Sequence, residues 1–253
     1  MGKRPLLVSI ANQKGGVGKS TTTALVAAYL HNYTPLKICV IDIDPQDTLV
    51  KYREAEIENH RTRFVEDRSY KKTWLELRKA QPKKDHVFAV DGLKEVDPDG
   101  MLAYNLIQSR LEKDFDIIFV DFPGFTASEG LMISLMQMDY ILCPFTADYN
   151  TILSTHDFLE YVFKAKEEGE AKAKKIAAFK WRYSLVKNTS LVHASQGELM
   201  SLFNKLYMFE SHIPDAVEYE RYSTLIPTNL KGAKSIEPFV NEFLEFIGIN
   251  KLA

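Results

Sequence analysis

Cysteine is nearly missing: Cys39 and Cys143 are the only two in 253 residues, each inside an apolar run, ICVID and ILCPF. Two so widely separated thiols exclude a disulfide-stapled fold and any local C-x-x-C metal or redox motif, and they predict small buried hydrophobes in a reducing compartment. No apolar stretch approaches the roughly 20 residues that a membrane span requires. The opening MGKRPLLVSIANQ starts basic, but its short apolar run leads straight into a glycine-rich loop, so it reads as a first strand and not a leader. A myristoylation signal would want Ser or Thr where Leu6 stands. A surplus of one charge is also absent: 32 Lys and Arg against 34 Asp and Glu leave a formal −2, so any nucleic-acid contact needs a local basic patch. Neither repeats nor low-complexity linkers break the chain. We therefore expect one cytoplasmic domain over 1–253, large enough for a sizeable core.

What is present is alternation. Short apolar runs at Leu6–Ala11, Ile38–Ile43, Asp116–Asp121, Tyr140–Phe145 and Lys175–Trp181 are bounded by turn residues and separated by longer segments. Helical spacing marks Thr21–His31, Thr151–Glu168 and Ile236–Ile247. Such a pattern predicts an α/β fold: a doubly wound, mostly parallel twisted sheet with helices on both faces. Residues 51–100 have mixed charge and few apolar runs and are expected to form a helical excursion. The tail 236–253 is expected to pack as a helix through Phe239, Phe243, Phe246 and Ile247.

In folds of this class ligands bind beyond the carboxyl ends of the strands. The stretch NQKGGVGKSTT at Asn12–Thr22 follows the first predicted strand and almost fits the phosphate-loop pattern G-x-x-x-x-G-K-[ST]. It departs at its start, where Gln13 replaces a glycine, and it adds a second cation, Lys14. Gly15, Gly16 and Gly18, with Val17 among them, would let successive backbone N–H groups turn inward as a nest for phosphate oxygens. The next helix, from about Lys19, would aim its unpaired N–H groups and positive dipole end at the same anion. Lys19 would reach the β- and γ-phosphates, Ser20 would ligate Mg²⁺, and Thr21 would cover the α-phosphate.

Three acids fall at strand ends. Asp121 closes FDIIFVDFPG in the form of a Walker B element and is expected to hold Mg²⁺ through its water shell. Asp42 and Asp44 in VIDIDPQDT alternate along one strand end, so both could face the phosphates. Acids beside a triphosphate repel it unless a metal lies between them or one handles the attacking water. Asp44 is assigned to the water and Asp42 to the metal shell.

The string KGGVGKSTT resembles the deviant Walker A loop of the ParA/MinD class of ATPases. DIDPQ resembles that family's first switch and FDIIFVDFPG its second, while MDYILCPFTADYNTI and HIPDAVEYERYST resemble later landmarks, in family order. The resemblance implies a P-loop ATPase using ATP and Mg²⁺, with Pro214 near the nucleotide base. It implies also that two subunits sandwich two ATP molecules, each Lys14 crossing to the partner's phosphates. A cation lent in trans makes dimerisation depend on the triphosphate.

Within that class, iron–sulfur members need cluster cysteines, and MinD-type members end in a basic amphipathic helix, whereas the charges of IEPFVNEFLEFIGINKLA are mostly acidic. Tyrosine kinases of the class have tyrosine-rich tails; the twelve tyrosines here are scattered. The remaining resemblance is to the ParA/Soj partition group, implying an ATP-driven homodimer that positions or segregates DNA by non-specific binding. A ParB-like or other activating protein would stimulate hydrolysis, and no membrane is implied. The sequence departs where that group often carries arginine, having Asp215 and Glu218, with Arg221 beyond. Lys172, Lys174, Lys175, Lys187, Lys231 and Lys234 are other basic candidates, although KAKEEGEAKAKK reads equally as a solvated helix end. The alternative is an ATP-switched adaptor for a protein complex, in conjugative transfer or protein localisation, without DNA contact. Small-molecule ligases related to dethiobiotin synthetase share the loop, but no substrate-pocket signature accompanies it here.

Overall fold

The computed structural model describes residues 4–79, 88–93, 99–124, 128–146, 149–183, 189–214, 224 and 230–249. Their strands are β1 (Leu6–Ile10), β2 (Ile38–Asp42), β3 (Ala89–Gly92), β4 (Ile117–Asp121), β5 (Tyr140–Phe145), β6 (Lys175–Tyr183) and β7 (Tyr207–Pro214). They form one sheet in the order β3-β2-β4-β1-β5-β6-β7, and every pairing is parallel. Parallel strands need crossovers, and the helices supply them: α1 (Lys19–Tyr33), α2 (Thr48–Glu66), α3 (Arg68–Lys79), α4 (Met101–Leu111), α5 (Glu129–Met136), α6 (Tyr149–Glu167), α7 (Thr189–Leu202) and α8 (Leu230–Phe246).

The central strands β2, β4 and β5 are buried at every position, which is why they read as unbroken apolar runs. Alternation then divides them between two cores. Val8, Val40, Ile117 and Phe119 face α1 and α8, where Phe239, Phe243 and Phe246 complete the layer. Leu7, Cys39, Ile118 and Val120 face α4, α5 and α6. Both cysteines are free and buried. The doubly wound arrangement expected from the sequence is thus present, and the sheet is wholly parallel.

Two strands were not legible in the sequence. β3, AVDG, is four residues long and half-exposed at one edge, and β7, YMFESHIP, mixes polar with apolar residues at the other. The stretch 51–100 does hold α2 and α3, but it returns to the sheet in β3, so it is not helical throughout. The tail helix starts at Leu230, earlier than its apolar spacing indicated. Lys187, Asp215, Glu218 and Arg221 lie outside the described residues.

No helix among the described residues is long and apolar enough to cross a membrane.

Candidate functional site

Strand β1 stands where the chain winds outward in both directions, between β4 and β5, and its carboxyl end opens into the glycine loop. Asn12 sets the start of that loop. Its buried amide donates to the Pro144 carbonyl at 2.8 Å, Thr155 Oγ1 at 2.9 Å and Cys143 Sγ at 3.3 Å, and its Oδ1 accepts the Lys14 N–H at 3.0 Å. Side-chain hydrogen bonds therefore fix the first bend, and the left-handed backbone falls later, at Gly16 and Gly18. Gln13 needs no glycine-like conformation, which accounts for the departure from the usual pattern. Sequence reading gave Asn12 no role, because nothing local marks an asparagine whose amide nitrogen donates to partners more than 130 positions away.

Gly18 has φ of 83°, and a Cβ there would meet the Trp181 ring 2.2 Å away. The indole from the end of β6 thus lies directly on the loop, a second contact invisible in the local sequence. Gly15 and Gly16 are exposed and Val17 is buried behind them. Ser20 and Thr21 sit half-buried in the first turn of α1. Gly124, after β4, also closes on the loop, since a Cβ there would stand 3.5 Å from the Gln13 carbonyl and 3.7 Å from the Gly15 nitrogen.

The two lysines part company. Lys19 is buried and its ammonium donates to the Lys14 carbonyl at 2.9 Å. Burial lowers its pKa from the ordinary 10.5, with Asp121 and Asp44 acting in the opposite sense. The Lys14 side chain is exposed and has no ion pair among the described residues.

Asp42 and Asp121 are register partners on neighbouring strands, so their side chains share the face that carries α1. Neither is accessible to solvent. Asp42 spends its oxygens on backbone N–H groups, those of Asp44 at 3.1 Å, Leu49 at 2.8 Å and Val50 at 3.3 Å, and so caps the start of α2. Burial outweighs these bonds and raises its carboxyl to about 6. In Asp121 neither oxygen has a hydrogen bond of normal geometry. Burial lifts its carboxyl to about 8, the Ser20 hydroxyl and Lys19 drawing it down and Asp42 and Asp44 pushing it up. A desolvated, unpartnered carboxylate beside a hydroxyl and a phosphate-type loop is a donor set that suits hydrated Mg²⁺. Asp44 lies just past β2, half-buried, with Oδ1 accepting the Gln46 N–H at 2.9 Å.

Loop, Asp42, Asp44 and Asp121 are therefore gathered at the carboxyl ends of β1, β2 and β4. Pro214 stands apart, at the end of edge strand β7, paired in register with Tyr183. Lys172, Lys174 and Lys175 lie at the opposite end, by the start of β6, and are engaged: with Gln137, with Asp139 and with the Phe246 carbonyl.

A buried clamp holds the second turn of α2. Arg53 of α2 donates through Nε to Thr224 Oγ1 at 2.6 Å, through Nη2 to the Thr224 carbonyl at 2.7 Å and through Nη1 to the Phe88 carbonyl at 2.9 Å. Glu56 accepts both the N–H and the hydroxyl of Thr224. The helix that Asp42 caps is thereby tied to the chain beyond β7.

Comparison with known proteins agrees with this geometry. An uncharacterised protein of Methanocaldococcus jannaschii is 30% identical over 194 residues, covering 69% of this chain and 71% of that protein. Among solved structures, McdA of Cyanothece in its ATP complex superposes with a TM-score of 0.70 at 17% identity, covering 100% of both chains. Cobyrinic acid a,c-diamide synthase of Mycobacterium smegmatis with bound ADP and magnesium gives 0.64 at 18%, covering 98% of each. The pNOB8 ParA bound to nonspecific DNA gives 0.58 at 18%, covering 96% of this chain and 99% of that one. Likeness at these identities establishes the fold, and it is the P-loop fold of ParA proteins. Residues 6–176 match the family described as an AAA domain, and the chain belongs to that family, in its ParA/MinD-like branch.

Proposed function

We propose that this chain is a Mg²⁺-dependent ATPase that dimerises on ATP and positions DNA through non-specific contact, with hydrolysis stimulated by a protein partner. The observation that carries the reading is the divergence of the two loop lysines: Lys19 is folded into its own site, while Lys14 is exposed at the rim with no ion pair among the described residues. A cation so placed serves a neighbour's phosphates better than its own. Backbone N–H groups of residues 15–21 would cradle the phosphates, and Lys19 would swing from the Lys14 carbonyl to the β- and γ-oxygens. Mg²⁺, when bound, would neutralise charge on those oxygens; Ser20 and Asp121 would hold it, with Asp42 adding negative charge behind them. Asp44 would orient the water that attacks the γ-phosphorus as the bond to the ADP oxygen breaks. Slow basal turnover follows if Asp44 stays bonded to its own turn until a partner orders it. Pro214 would border the base. The ATP- and DNA-bound states of McdA and pNOB8 ParA support the reading by likeness of fold.

The test is light scattering on Asp44→Ala protein, expected to bind ATP but turn over slowly, with ATP or ADP and Mg²⁺. A dimer with ATP, a monomer with ADP, and a monomer with ATP once Lys14→Ala is added are the expected results; Lys19→Ala should bind no nucleotide. An ATP-loaded monomer well above micromolar concentration would overturn the reading. The adaptor reading draws on the engagement of Lys172, Lys174 and Lys175 in the fold, and an ATP-loaded dimer that ignores DNA at low salt would favour it.

A further inference from the structure

Helix α3 carries five basic residues and one acidic residue in twelve, within a chain whose net charge is −2. That asymmetry alone would describe any solvated helix. The architecture around it is more specific. Of α2, only Leu49 and Arg53 are buried, so the rest of that helix leaves the core, and α3 folds back on it. An aromatic cluster joins the two. His60 lies 4.8 Å from Trp74, Phe64 meets the Trp74 edge at 5.4 Å, and His60 Nδ1 is 3.0 Å from the Tyr70 hydroxyl. A twelve-residue helix in water would fray without such support. The hairpin thus holds α3 firm while keeping its outer side in solvent.

On that outer side Arg68, Lys72, Leu75 and Lys79 follow one another at helical spacing, opposite Tyr70 and Trp74. Arg68, Lys72 and Lys79 are exposed and have no ion pair among the described residues. The cations nearer α2 are already engaged: Arg63 lies over Tyr70 and pairs with Asp67, and Lys71 lies over Phe64. The free stripe is about 16 Å long at 1.5 Å per residue, enough to follow several phosphates of one strand.

We propose that this face of α3 is a contact for the sugar–phosphate backbone of double-stranded DNA. The inference rests on the DNA-positioning reading above and gives it a surface, distinct from Lys172, Lys174 and Lys175 by the start of β6. Charge complementarity selects the occupant. A membrane-surface helix would need an apolar face turned outward, whereas here Tyr70 and Trp74 are turned onto α2 and Leu75, 41% exposed, is the apolar residue in the stripe. The same hairpin begins at the Asp42-capped end of α2, so the contact is built on the helix nearest the proposed water-orienting acid. A dimer would carry two such stripes.

The experiment is fluorescence anisotropy of a labelled random-sequence duplex with ATP-loaded full chain across a salt series, comparing wild type with R68E/K72E/K79E. The variant should keep ATP binding and the ATP-dependent dimer, since the three side chains are exposed. It should lose at least tenfold in DNA affinity at low salt, and its slope of log affinity against log salt should fall by about 3, near 0.9 per phosphate contact. An unchanged affinity and slope in the variant would overturn this surface and leave the DNA reading intact. No DNA binding by wild type would overturn both. Binding of wild type, and not the variant, to phosphatidylglycerol vesicles in place of DNA would overturn the proposal in favour of a lipid surface.

Discussion

At the scale of single residues, the phosphate loop shows which positions a local pattern can reveal. Gly15, Gly16, Gly18, Lys19 and Ser20 were legible because phosphate binding demands those residue types at that spacing. Asn12 and Trp181 were not, since each acts through partners distant in sequence. Trp181 makes Gly18 doubly constrained, by its φ of 83° and by the ring against it. Gly18→Ala should therefore displace the loop and weaken ATP binding by tenfold or more. Adding Trp181→Leu removes the ring but not the left-handed backbone, so about 1–2 kcal/mol of destabilisation should persist. Thermal denaturation and ATP titration of the single and double variants read the two effects separately; full recovery in the double variant would show that sterics alone matter.

Helix α2 is the element on which most depends. Its mixed charge made it hard to read: no apolar stripe marks it, because its start is fixed by Asp42 and its second turn by Arg53, polar groups that hydropathy cannot recognise as buried. Arg53 fills all its described bonds in a desolvated setting, and burial lowers its pKa to about 10. Arg53→Ala would strand the Phe88 and Thr224 carbonyls, while the Thr224 hydroxyl keeps Glu56, for an expected loss of about 3 kcal/mol. Urea denaturation measures it, and a shift below a few tenths would argue that water replaces the guanidinium. In the hairpin, partial burial depresses His60 below its usual 6.5. The opened hairpin then takes up the proton first, so stability is complete above pH 6.5 and declines as pH falls through and below that value. Hydrogen exchange across α2 and α3 should accelerate on acidification, and His60→Phe should flatten the response.

For the molecule as a whole, the central strands and their winding were legible and the sheet's edges were not. A strand covered on both faces must be apolar throughout, while β3 and β7 need cover only partly and so carry no such signature. The same limit applied to surfaces. Lys172, Lys174 and Lys175, which read as a solvated helix end as readily as a basic patch, are engaged in the fold, whereas Arg68, Lys72 and Lys79 carried no signal until α3 placed them in line. At this scale Lys14→Ala is the informative change. ATP affinity of the monomer should stay within about threefold, since an exposed side chain gives up little, and ATP-dependent association should disappear; sedimentation velocity distinguishes the two.

The Arg53–Thr224 clamp joins residues 171 positions apart. During translation α2 must wait about 10–30 s for its partner to be synthesised. Until Thr224 leaves the ribosome, a guanidinium destined for the interior has nothing to hold. A nascent chain halted before that point should be open to proteases along α2 while its first strands and phosphate loop are already complete, which makes Thr224 a late safeguard against releasing an unfinished molecule.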